Sequence, residues 1–156
     1  MELRPTLLSF LLFFPFLTHG WVKEMENDGL YQGDMILSPE QQEAARKGDF
    51  TFGSIKTNLW PGPIPYSLSP SLSRSSKAVN AIQLAIDDYH KYTCLRFVKR
   101  TTETAYIYFY NGQGCSSPVG RTGRRNTISL SSGCWARSTV IHEIGHSIGK
   151  LHHSYP

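Results

Sequence analysis

The chain has 156 residues, 40% of them apolar, which suits one domain with a real core rather than several domains. Sixteen Lys/Arg against twelve Asp/Glu give a formal charge of +4 at pH 7. No nucleic-acid motif or aromatic-interleaved basic run accompanies that charge; Arg121, Arg124 and Arg125 read as a solvated turn, so no nucleic-acid partner is expected.

In chain order, residues 1–20 read as a secretory signal peptide. Arg4 is the basic start, residues 7–17 are an apolar run too short to span a bilayer, and Thr18 and Gly20 are small residues at a cleavage site. No other segment is long and apolar enough for a membrane anchor, so the expectation is a secreted, extracellular protein. Secretion makes Cys94, Cys115 and Cys134 candidates for disulfides, and an odd count leaves one without a partner in this chain.

Residues 21–50 are polar and acidic, with three Lys/Arg against seven Asp/Glu; residues 51–156 carry twelve against four, a net +8. That contrast fits two readings equally, a pro-segment that docks by charge on a basic domain and a chance distribution. Within the acidic segment, Ser38-Pro39-Glu40-Gln41 is a helix start, with Ser at N-cap, Pro at N1 and Gln at N3. The helix should run to about Arg46-Lys47, where a basic pair and Gly48 offer a processing site.

From residue 51 the character changes. A Pro-Gly turn precedes a short strand around Ile64–Leu68. Val79, Ile82, Ile86 and Tyr89 then fall at three- and four-residue spacings, predicting a helix with one buried stripe that ends near Thr93 and carries His90 on its solvent side. "CLRFV" and "AYIYFY" read as strands, as do residues 127–130. "STVIHEIGHSI" is helical, with Ser138 as its expected N-cap. The alternation predicts an α/β (α+β) architecture, a mixed twisted sheet backed by two helices.

That last helix carries the strongest chemical signal: His142-Glu143-x-x-His146-x-x-Gly149-x-x-His152. Helical residues four apart differ by only about 40° in direction and 6 Å in height, so His142 and His146 can reach one ion at about 2.0–2.1 Å. Glu143 can stand beside the metal without ligating it and serve as a general base towards the metal's water. A continued helix would carry His152 about 15 Å up the axis, so the chain must turn back, and Gly149 supplies the turn. Three imidazoles and an open fourth position describe one catalytic Zn2+ ion rather than a structural one.

These residues, with "CLRFVKRTTETAYI", "LWPGPIPYSLS" and "VGRTGRRNTISLSSGC", resemble the astacin family of secreted zinc endopeptidases, within the metzincins, over residues 31–149. The resemblance implies the N-terminal lobe of such a peptidase, acting on protein or peptide substrates. Tyr31-Gln32-Gly33-Asp34 is similar to the family's pro-segment motif, in which the aspartate binds the zinc of the zymogen; cleavage within residues 46–50 would release Asp34. It further implies a Cys115–Cys134 disulfide, a partner for Cys94 in the far C-terminal part of the catalytic domain, and a substrate-pairing edge strand near residues 116–120. The division expected is therefore signal peptide 1–20, pro-segment 21–50 and catalytic part 51–156. The sequence departs from the family after Gly149, where Lys150 replaces an aromatic and His153 a glutamate, which bears on His152 more than on His142 and His146. It reads as stopping before the family's C-terminal lobe, leaving as alternative a truncated, inactive chain acting at most as a binding or decoy fragment.

Overall fold

The computed structural model describes residues 27–49 and 54–151. The signal-peptide segment, Phe50 of the expected cleavage region, and His152 and His153 lie outside the described residues. Two strands and a helix precede the crossover unit: β1 (Met35–Ile36), α1 (Pro39–Arg46) and β2 (Ile64–Leu68). They are followed by α2 (Pro70–Ser73), α3 (Ser76–Tyr92), β3 (Phe97–Lys99), β4 (Tyr106–Tyr110), β5 (Cys115–Pro118), β6 (Arg125–Leu130), a 3-10 turn (Ser132–Cys134) and α4 (Arg137–Ser147).

The strands form one mixed sheet in the order β1-β5-β6-β4-β2-β3. All neighbours run parallel except β5 and β6. Parallel neighbours cannot be joined by a tight turn, and β2 and β3 are linked accordingly through α2 and α3. Alternation in β4 buries Ile107 and Phe109 and leaves Tyr106, Tyr108 and Tyr110 half-buried on the other face.

The core joins Ile64, Tyr66, Ile107, Phe109, Ile128 and Leu130 of the sheet to Ala78, Ala81, Ile82, Ala85 and Ile86 of α3 and Val140 and Ile144 of α4. Each large aliphatic side chain buried here contributes roughly 1.5–3 kcal/mol. Small alanines on α3 allow close approach of the sheet, and they rather than Val79 complete its buried stripe. Val79 is exposed, a correction to the periodicity reading, because in a stripe that includes alanine its position falls outside the contact face.

The strand read from "CLRFV" begins only at Phe97, so Cys94 stands exposed before it. His90 does not simply face solvent: its Nε2 accepts the Phe97 N–H (2.8 Å) and its ring stacks on Phe97. α4 begins at Arg137 after Ala136, two residues ahead of the expected Ser138 cap and without a side-chain cap bond. In place of that cap, Arg137 makes a two-pronged contact with Asp88 of α3 (2.5 and 2.6 Å). α1 has the predicted capping box, with Ser38 and Gln41 each accepting from the other's backbone N–H.

Candidate metal centre

α4 presents the histidines as its period requires. The rings of His142 and His146 stand at 87°, their Nε2 atoms 3.0 Å apart. Asp34, brought in by the turn before β1, places Oδ2 2.8 Å from His142 Nε2 and 3.4 Å from His146 Nε2. These three place one ligand-type atom each within 4.8 Å of one another, a group that could hold a metal ion. A tetrahedral ion with ligands at about 2.0–2.1 Å would hold those atoms roughly 3.3 Å from one another, close to what is observed.

Local structure fixes the ligand faces. The Lys150 carbonyl lies 2.8 Å from His146 Nδ1 and accepts its proton, leaving the Nε2 lone pair directed at the group. Lys150 is held there by the turn. Gly149 has φ +105°, the Gly149 N–H donates to the His146 carbonyl, and the Lys150 N–H donates to the Gly145 carbonyl. That is a Schellman closure, which favours glycine at this position. The segment after residue 53 then crosses the turn: the Ile55 N–H donates to the Gly149 carbonyl, and Trp60 Nε1–H to the Ser147 carbonyl. With its Nε2 lone pairs and carboxylate oxygens, the group holds more acceptors than donors, which is the chemistry a cation satisfies.

Glu143 is buried to 1% exposure on the same helix. Burial, and then the negative charge of Asp34, push its carboxyl up to about 9, so without a metal it holds its proton at neutral pH. Its Oε2 meets no hydrogen-bond partner among the described residues. A divalent cation alongside would invert that balance and favour the carboxylate.

Residues 27–49 lie along the same site. β1 pairs with β5, Met35 beside Ser117 and Ile36 beside Pro118, so the strand read as a substrate edge is already paired with residues 35–36. Met35 and Leu37 pack with Val119 and Leu151 in a second apolar cluster, and Gln41 Nε2–H donates to the Val119 carbonyl (2.9 Å). Asp34 faces His142 and His146 across this contact, whereas Glu43 pairs with Arg46 and Lys47 of its own segment. Apolar packing and backbone pairing contribute to this contact. Cys115 and Cys134 are joined by a disulfide that ties β5 to the chain entering α4.

Residues 53–155 match the peptidase family described as Astacin. The chain belongs to the astacin family. It is 35% identical over 132 residues to zinc metalloproteinase nas-6 of Caenorhabditis elegans, covering 83% of this chain and 38% of that protein. With Blastula protease 10 of Paracentrotus lividus it shares 38% over 141 residues, 79% of this chain and 23% of the other. High choriolytic enzyme 1, a hatching enzyme zinc-protease from Oryzias latipes, superposes with a TM-score of 0.59 at 30% identity, over 64% of this chain and 54% of that one. The chain thus spans well under half the length of the two curated relatives. The astacin fold is present in the described residues as a mixed sheet with its zinc-type helix.

Sequence reasoning missed the residues around this helix: Trp60, Tyr89, whose hydroxyl donates to the Ile141 carbonyl (2.9 Å), and Asn126. Only Asn126 leaves a sequence signal. It takes an inward position in the alternation Asn126, Ile128, Leu130, where an apolar residue would be expected.

Proposed function

We propose that this is a secreted zinc endopeptidase made as a zymogen. The observation that carries the reading is the convergence of His142, His146 and Asp34 on one point beside buried Glu143. His142 and His146 would hold the ion, and His152 would supply the third ligand in the mature form. Bound zinc supplies a Lewis acid that polarises a carbonyl oxygen and makes water nucleophilic near neutral pH.

The chain's own groups do the rest. Glu143, one residue from His142, accepts the proton of the attacking water on its carboxylate and returns it to the leaving amine nitrogen. β5 offers backbone groups to an extended peptide, and Ser117 N–H, 3.0 Å from the Asp34 carbonyl here, is one such donor. In the zymogen Asp34 would serve as a further ligand while β1 covers β5, so one short segment would block both metal and substrate edge. Cleavage within residues 46–50 removes both blocks. The signal-peptide pattern of residues 1–20 and the Cys115–Cys134 disulfide support secretion.

The test is hydrolysis of an internally quenched peptide by the processed full-length protein, with its zinc counted by elemental analysis. One zinc per chain, chelator-sensitive turnover and loss of turnover in Glu143→Ala are expected. Turnover that survives Glu143→Ala or chelation sinks the reading.

A further inference from the structure

Asn126 is fully buried at the start of β6, yet its carboxamide has no open valence. Oδ1 accepts the Thr122 N–H (3.0 Å) and the Thr122 hydroxyl (2.7 Å). Nδ2 donates to the Gly120 carbonyl (2.7 Å) and to Ser147 Oγ (3.0 Å). Two donors and two acceptor lone pairs are all the group possesses, so it is saturated.

The partners close a circuit. Gly120 N–H donates to the carbonyl of His146, the residue before Ser147 (2.8 Å). Asn126 therefore holds the Gly120 carbonyl and the Ser147 hydroxyl while Gly120 holds the His146 carbonyl. One side of the circuit is the helical turn that carries a metal ligand. The other is the chain leaving β5, the strand that β1 covers. Ser147 is as buried as Asn126, so water cannot replace a lost bond.

We propose that Asn126 is a positioning residue that locks the ligand-bearing turn of α4 to the end of β5, setting metal and peptide edge at a fixed separation. This rests on the metal centre proposed above. Asn126→Asp keeps both bonds from Thr122 but turns an oxygen towards the Gly120 carbonyl. Ser147→Ala is milder and cuts only the helix side of the circuit.

The experiment measures zinc affinity of the full-length protein by competition with a chromophoric chelator, alongside thermal midpoints. Asn126→Asp should weaken zinc binding by roughly 10–100-fold, as loss of outer contacts to a ligand helix typically does. Ser147→Ala should shift it in the same direction, and the double variant should lose no more than Asn126→Asp alone. Leu72→Ala, which opens a cavity in the core remote from this circuit, should lower the midpoint and leave zinc affinity unchanged. Zinc affinity within about twofold of wild type in Asn126→Asp and Ser147→Ala, despite lowered midpoints, overturns the inference. Should Asn126→Asp not fold, unchanged affinity in Ser147→Ala does so by itself. Wild-type protein that binds no zinc would instead overturn the metal-centre reading, so the two failures are distinguishable.

Discussion

The perturbed carboxyl of Glu143 makes a prediction about the metal-free protein. In the unfolded chain Glu143 ionises near 4.5; in the fold it keeps its proton to about 9. The folded state therefore binds more protons between those values, so the contribution of Glu143 to stability is greatest below 4.5 and declines as pH rises towards 9. At pH 7 the gap from 4.5 is about two and a half units at about 1.4 kcal/mol each, or roughly 3–4 kcal/mol of destabilisation at most. Glu143→Gln has nearly the same shape and never ionises, so it removes that penalty. In excess chelator, denaturant unfolding should show Glu143→Gln more stable than wild type at pH 7 to 8, with the two curves converging near pH 4. Added zinc should stabilise wild type more than the variant, because only the carboxylate gains from the cation. A difference between the two proteins that does not vary with pH would refute the argument from burial, and equal stability at pH 8 would do so as well.

Other outcomes follow from single elements. Gly149→Ala forces a side chain into φ +105° and places its Cβ about 2.7 Å from Ile55 Cγ1, so it should cost on the order of 1–3 kcal/mol in a thermal or denaturant melt. Replacing Cys115 and Cys134 together by serine opens a link spanning 19 residues and should cost about 3 kcal/mol by the same assay, with mass spectrometry confirming the missing bond. Ser38→Ala removes the α1 capping box and should destabilise that helix by about 1 kcal/mol, seen as faster proteolysis within residues 46–50 while the core midpoint stays unchanged.

Much of this was legible because it is local. The capping residues of α1, the i, i+4 histidines and the Gly149 turn each depend on neighbours a few residues away, and the structure places all of them as the spacing requires. What depends on distant partners was not. α4 starts at Arg137 because Asp88, 49 residues earlier, anchors it, which no capping pattern reveals. The stripe of α3 uses alanines because the sheet comes close, so reading only large apolar residues misplaced Val79. A strand as short as β1 has no periodicity to detect; its pairing with β5 exists only in three dimensions. Asp34 illustrates the boundary: its sequence motif hinted at a role through resemblance, whereas its 2.8 Å approach to His142, 108 residues on, is a fact of the fold.

In the proposed zymogen, Asp34 closes the metal site until the segment before residue 51 is cut away. The most direct measurement is turnover of an internally quenched peptide by the unprocessed full-length protein, comparing wild type with Asp34→Ala under conditions where cleavage within residues 46–50 is verified absent. Unprocessed wild type should be silent, and unprocessed Asp34→Ala should gain chelator-sensitive activity. A silent Asp34→Ala zymogen whose processed form is active would contradict it, and so would a wild-type zymogen as active as its cleaved product.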